Sequence, residues 1–237
     1  DFASARKLPE GGYDLLVVDE AGQFALANTL AVARAARNVM LLGDPQQLPQ
    51  VSQGIHPEPV ETSALGWLMG DHTTLPDGLG FFLAQSWRMH PAVCAAVSRL
   101  SYEDRLTSRP GTAELRSLDG VGPGVRTVLV EHHGNATVSD AEADEVVAQV
   151  TALVGRRWQD PAAKPPEDRP LTAADILVVA AYNAQVDAIR RRLDRVGLQE
   201  TRVGTVDKFQ GQEAPVPIVS FAASSAAEVP RGIGFLL

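Results

Sequence analysis

Two adjacent carboxylates, Asp19 and Glu20, stand at the end of the short apolar run Leu15-Leu16-Val17-Val18. Paired acids in such a place can serve phosphate hydrolysis. One holds a Mg²⁺ ion on the phosphate oxygens, and its neighbour orients or deprotonates the attacking water. The same pair can also do no more than cap the next helix, accepting hydrogen bonds from its free N–H groups. Taken alone, these residues leave both roles open.

The elements around them set the geometry. An unbroken apolar run bounded by polar residues predicts a strand buried on both faces, as in a parallel sheet covered by helices. Phe24–Arg37, rich in Ala and Leu without Gly or Pro, predicts a helix, and Asn38–Leu42 a second apolar strand ending at Gly43-Asp44-Pro45. Strand, helix, strand in so short a span is a βαβ unit with parallel strands and a right-handed crossover. Asp19 and Asp44 then share the carboxyl edge of one sheet, where open α/β sheets bind ligands.

Downstream, the pattern predicts a loop over Val51–Glu61, a short helix Ala64–Met69 capped by Ser63, and a helix from Pro91 to Leu100. A strand Val128–Val130 follows, then a helix Asp140–Val154 opened by a Ser139/Glu142 capping box. Pro161–Pro170 predicts a flexible surface loop. After it come a strand Ile176–Ala181, a helix Ala184–Val196 ended by Gly197, a strand Thr201–Val206 and an apolar stretch Val216–Ala223. The alternation is that of an α/β protein, with a domain boundary near residues 75–85.

Composition narrows the classes. At 237 residues the chain can form one large or two small cored domains. No apolar run approaches the roughly 20 residues that span a bilayer, so no membrane partner is expected. There is no basic-then-apolar leader, and the single cysteine, Cys94, suits a reducing cytoplasm. A net charge of −8 argues against a broad basic surface coating nucleic acid, but not against a local basic channel. The first residue is Asp1, not Met, so the chain is expected to come from something longer. None of the lysines (Lys7, Lys164, Lys208) follows a glycine, so the phosphate-binding loop GxxxxGK[ST] is absent from these residues.

Four further stretches accompany DEAGQ (Asp19–Gln23). They are GDPQQLPQ (Gly43–Gln50), SWRMHP (Ser86–Pro91), AYNAQV (Ala181–Val186) and VGTVDKFQGQEAP (Val203–Pro215). In this order they resemble motifs II, III, IV and V of superfamily 1 helicases. Within that group the chain is similar to the branch of the nonsense-mediated-decay RNA helicase and to bacterial proteins with a RecB-like nuclease module ahead of the helicase.

The resemblance implies an α/β P-loop NTPase fold of tandem RecA-like domains, parallel sheets flanked by helices, incomplete at both ends. Residues 1–80 would be the C-terminal part of the first domain and 81–237 the second. The phosphate-binding loop is expected upstream of Tyr13, and a motif VI arginine beyond Pro230–Phe235. These residues alone are therefore expected to bind ATP poorly and not to turn it over.

It also implies roles. Asp19 holds Mg²⁺ and Glu20 handles the water; Gln47 senses the γ-phosphate, as an amide that can bond either a phosphate oxygen or water. Arg88 reaches the γ-phosphate with a permanently charged, bidentate guanidinium. Trp87 stacks on adenine where the family often has Gln-Tyr, and Glu213 accepts from ribose hydroxyls. Thr205 faces the nucleic-acid phosphates. Tyr182 and Asn183 end a strand and touch nucleic acid, or else simply start a helix capped by Asn183.

The implied cofactors are ATP and Mg²⁺. The implied partner is a single strand, DNA ahead of RNA, with 5′-to-3′ movement, a nuclease module in the same polypeptide and a place in DNA repair. The rival reading is a degraded, non-hydrolysing helicase domain that binds nucleic acid or a protein. Pro217, inside a predicted strand, implies either a bulge or a drifted motif V. His90 and Cys94 are too few ligands for zinc. His132-His133 and Arg190-Arg191-Arg192 are expected to be solvated.

Overall fold

A computed structural model describes residues 7–47, 57–60 and 62–230. Residues 48–56, with the end of the GDPQQLPQ stretch and most of the predicted loop over Val51–Glu61, lie outside them, as do residues 231–237. The chain divides into two compact units. One runs to Ala84 and takes in Val97–Leu106; the other comprises Gln85–Ala96 and the chain from Thr107 onward.

The first unit is built on β1 (Tyr13–Val18), α1 (Leu26–Ala33) and β2 (Ala36–Leu41), with β1 and β2 parallel in the register Val18↔Leu41. The predicted βαβ unit is present. Its helix is shorter at both ends than the Ala-rich run, because backbone groups there are used elsewhere. Ala25 bridges Ser63, and the Ala35 carbonyl accepts from the Tyr13 amide at 3.0 Å. Burial on both faces is not found. Leu16 and Val18 pack with Ala21, Leu65 and Met69, whereas Tyr13, Leu15 and Val17, on the alternate face, stay about half exposed. Among the described residues this sheet has only two strands, and no helix of the core cluster packs on that face. Helix α2 (Ala64–Met69) has the predicted cap: Ser63 Oγ accepts from the Gly66 amide at 2.9 Å.

The second unit opens with β3 (Gln85–Ser86), parallel to β4 (Thr107–Ser108). Between them runs α3 (Pro91–Ser101), which from Val97 onward is counted with the first unit and whose N-terminus is capped by His90 Nδ1 accepting from the Ala92 amide at 3.1 Å. The core lies around a parallel sheet in the order β10 (Val216–Ser220), β8 (Ile176–Ala180), β9 (Arg202–Gly204), packed by α4 (Asp140–Leu153) and α5 (Asn183–Arg195). Pro217 sits in β10 without a bulge, in continuous register with β8. β10 is an edge strand among the described residues, so a missing N–H costs no ladder bond.

Several expectations fail. Val128–Val130 is in no strand and pairs with no strand among the described residues, and Leu129 is 91% exposed. Pro161–Pro170 is not a loop throughout. β6 (Arg157–Asp160) and β7 (Glu167–Pro170) form an antiparallel pair, with β5 (Ser117–Leu118) beside β6. The bidentate Arg157–Asp168 contact at 2.7 and 2.6 Å and buried Trp158 hold it.

The capping box is half made. Ser139 Oγ accepts from the Glu142 amide, but the Glu142 carboxylate instead accepts from Ser220 Oγ (2.6 Å) and the Ala222 amide (3.0 Å), and bonds His132 Nε2 (2.9 Å). His132 is therefore buried in a polar network, while His133 is solvated as expected. Arg192 likewise pairs with Asp140 and Asp144 on α4 instead of facing water. Asn183 is the first residue of α5, not its cap; Tyr182 holds the cap position.

Candidate nucleotide and nucleic-acid sites

In the first unit, motifs II and III meet by close backbone packing. A Cβ on Gly22 would lie 2.2 Å from the Asp44 carbonyl oxygen, and one on Gly43 would lie 2.8 Å from the Ala21 and Gly22 nitrogens. Only glycine permits that approach. The Ala21 amide donates to the Leu42 carbonyl at 2.8 Å, fixing the two strand ends together. Glu20 has φ +54°, a left-handed conformation uncommon for a non-glycine residue, of the kind found where geometry is set by function.

Side chains complete the assembly. Gln23 Nε2 donates to Glu20 Oε2 and to Gln47 Oε1, both at 3.3 Å, so one amide bridges the second acid and the motif III glutamine. Gln47 Nε2 donates to Asp44 Oδ2 at 3.4 Å, and Asp44 Oδ1 accepts from the Gln46 amide at 3.0 Å. Asp44 Oδ2 also accepts from the Tyr102 hydroxyl at 2.5 Å. Gln23, Asp44 and Tyr102 were not among the predicted site residues. Gln23 lay inside DEAGQ, but Tyr102 carried no local signal.

Asp19 is exposed and its Oδ1 accepts from the Glu20 amide at 3.0 Å. Mg²⁺ commonly takes one or two carboxylates, with waters and phosphate oxygens completing its octahedron. A single open aspartate beside a second acid therefore fits it. Among the described residues there is no group of three His, Cys, Asp or Glu side chains that could hold a metal ion.

In the second unit, Arg88 Nε lies 3.5 Å from Glu213 Oε2, both side chains being well exposed. The arginine is set by its surroundings. Ser86 Oγ accepts from the Arg88 and Met89 amides, so the serine that replaces the family's glutamine caps this turn. Arg116 Nη1 donates to the Arg88 carbonyl at 2.7 Å, and Arg116 is itself held by Asp160 at 2.7 Å. Trp87 is 58% exposed, and the Arg109 guanidinium lies 3.8 Å over its ring. Arg109 and Arg116 are further residues the sequence did not single out, because their partners are distant in the chain.

Tyr182, Asn183 and Thr205 follow the ends of β8 and β9 and so share the carboxyl edge of that parallel sheet. Asn183 is exposed and Tyr182 partly buried. Thr205 precedes the short helix α6 (Val206–Phe209), and its side chain makes no capping bond there. Cys94 is buried, which pushes its thiol pKa up. Among the described residues no helix is long and apolar enough to cross a membrane.

Comparison with known proteins identifies the family. A family model described as an AAA domain matches residues 68–237, and a second of the same description matches residues 2–53. The chain belongs to this AAA-domain family of P-loop proteins, in its superfamily 1 helicase type. Among its relatives is DNA-binding protein SMUBP-2 of Mesocricetus auratus, 30% identical over 92% of this chain and 22% of that protein. The probable helicase MAGATAMA 3 of Arabidopsis thaliana is 27% identical over 88% of this chain and 26% of its own length. DNA replication ATP-dependent helicase/nuclease DNA2 of Gallus gallus is 24% identical, over 91% and 20%. The chain thus spans about a quarter or less of each of these relatives.

Proposed function

We propose that the protein carrying this chain is an ATP-dependent helicase or translocase that couples ATP hydrolysis to movement along single-stranded nucleic acid. The observation that carries this reading is the Gln23 bridge between Glu20 and Gln47. An acid able to take a proton from water and an amide able to bond a phosphate oxygen are held to one side chain at a sheet's carboxyl edge.

In this reading residues 1–80 are the C-terminal part of RecA-like domain 1 and residues 81–237 are RecA-like domain 2. ATP and Mg²⁺ are substrate and cofactor. Asp19 would hold the ion, whose charge would offset that of the phosphate oxygens. Glu20 accepts the proton of the attacking water at its carboxylate, and its left-handed backbone fixes where that carboxylate points. Gln47 bonds the γ-phosphate through Nε2. Arg88, with its main chain pinned by Ser86 and Arg116, supplies a guanidinium to the same phosphate, and Trp87 stacks the base. Glu213 bonds the ribose; its pairing with Arg88 keeps two mobile side chains near each other before nucleotide arrives. Thr205, with Tyr182 and Asn183 along the sheet edge, contacts the strand backbone without reading sequence.

One relative is named a DNA-binding protein and another a DNA replication helicase/nuclease, which supports DNA as the strand to test first. The experiment is ATPase activity of the full-length protein with single-stranded DNA and RNA compared. Strand-stimulated turnover is expected. Glu20→Gln should lower that turnover at least about a hundredfold while leaving nucleotide affinity within about threefold. A variant that still turns over ATP normally removes Glu20 from this role. A wild-type protein that binds a strand without hydrolysing ATP is instead a binding module.

A further inference from the structure

Among the described residues, Tyr102 is the one far from motifs II and III in sequence whose side chain enters their hydrogen-bond network. Its hydroxyl donates to Asp44 Oδ2, the same oxygen that accepts from Gln47 Nε2. Burial and the neighbouring Asp44 carboxylate push the Tyr102 pKa well above its ordinary value, so the hydroxyl keeps its proton and donates at any physiological pH.

The tyrosine is held from several sides. Its ring packs against Phe82 at 6.2 Å between centroids, and the Arg105 guanidinium covers Phe82. Arg105 Nη1 donates to Thr74 Oγ1 at 2.6 Å, and Thr74 Oγ1 donates to Glu103 Oε2 at 2.6 Å. From the other side, Gln46 Nε2 donates to the Thr73 carbonyl at 2.8 Å. The segment 102–105 and the motif III turn are therefore tied to the same short stretch, residues 73–75.

This arrangement matters for a sensor. With no phosphate bound, Gln47 Nε2 satisfies Asp44. A γ-phosphate is an acceptor and competes for the same N–H donors. When Gln47 turns to the phosphate, the Asp44 carboxylate loses a donor, and a part-buried carboxylate left short of donors is costly. The Tyr102 hydroxyl stays in place and offsets that loss.

We propose that Tyr102 is a positioning residue for the γ-phosphate sensor: it keeps Asp44 satisfied, so that Gln47 is free to engage ATP. This rests on the helicase reading above, in which Gln47 is that sensor. ADP lacks the γ-phosphate, so the tyrosine acts on ATP and not on ADP. It also lies at the end of the chain segment, through α3, that begins three residues after Arg88.

The test is nucleotide binding by the full-length protein, with ADP and a non-hydrolysable ATP analogue measured separately. Tyr102→Phe removes one oxygen and keeps the ring against Phe82. Its affinity for the analogue is expected to fall about tenfold with ADP affinity unchanged. Asp44→Asn removes the carboxylate that competes for Gln47, so it should leave analogue affinity about unchanged, and Tyr102→Phe added to it should cause no further loss. If Tyr102→Phe does not fold, Tyr102→Leu, which also lacks the hydroxyl, carries the test. Equal weakening of ADP and analogue, or an unchanged ratio, overturns the proposal. A wild-type protein that binds neither nucleotide overturns the helicase reading with it. A wild type that discriminates while the variant discriminates equally overturns the Tyr102 role alone.

Discussion

Two strands of closely similar sequence have opposite surroundings. In β8, Ile176, Leu177, Val178 and Ala180 are all buried; in β1, Tyr13, Leu15 and Val17 are each about half exposed and only Val18 is buried. Among the described residues β8 is the middle strand of its sheet, with α4 and α5 packed in the same core, while β1 has one strand neighbour and packs the face of Leu16 and Val18 into the smaller core cluster. Apolar composition states what a strand is suited to, and neighbours decide what it gets. The first unit instead concentrates its tightest contacts at the Gly22 and Gly43 loops, where the candidate chemistry lies.

That contrast can be broken by measurement. The largest effect is expected in the second unit: Ile176→Ala should cost about 2–5 kcal/mol by denaturant unfolding, against about 1 kcal/mol or less for Leu15→Ala. Equal costs would show that β1 is as enclosed as β8. Next, Gly22→Ala should destabilise the first unit by about 1–3 kcal/mol, more than Leu15→Ala, although it only adds a methyl group. On the helicase reading proposed above, it should also remove the ATPase expected of the full-length protein, because the added carbon pushes the Asp44 turn away. A neutral Gly22→Ala would mean that the two loops have room to part.

The smallest effect concerns pH. Burial pushes the Asp175 carboxyl up, but hydrogen bonds from Arg169 and from the Thr172 amide and hydroxyl outweigh it and hold the pKa near 2, below the ordinary 3.8. A depressed folded pKa means that this stability is present above about pH 4 and is lost as pH falls towards 2. Asp175→Asn should flatten the acid limb of the second unit's unfolding curve, and an unchanged limb would discount the Asp175 contacts.

Much of this was legible because local chemistry and local structure coincide. An apolar run ending in Asp19-Glu20, and a Gly-Asp-Pro turn after another, give strand, edge and reactive group within a dozen residues. Ser63 and Gly197 marked helix ends for the same reason. The β6–β7 pair was not legible, since prolines and charges over Pro161–Pro170 outweigh in sequence what Trp158 and Arg157–Asp168 do in space. Tyr102, Arg109 and Arg116 escaped likewise: each acts on a residue it meets only after the chain has folded back. Glu142 had the right spacing for a reciprocal cap, yet stronger partners from β10 took its carboxylate.

Glu142 has a consequence of its own. Its bonds to Ser220 and Ala222 span 78 and 80 residues of sequence, and they hold Ala222 at φ +67°, where an alanine is disfavoured. A contact of such long range forms only once β10 has docked beside β8. The Ala222 amide, though two residues past the strand end at Ser220, should therefore exchange its hydrogen with solvent only when the whole second unit opens, at the slow rate of the central strand and not at that of a loop.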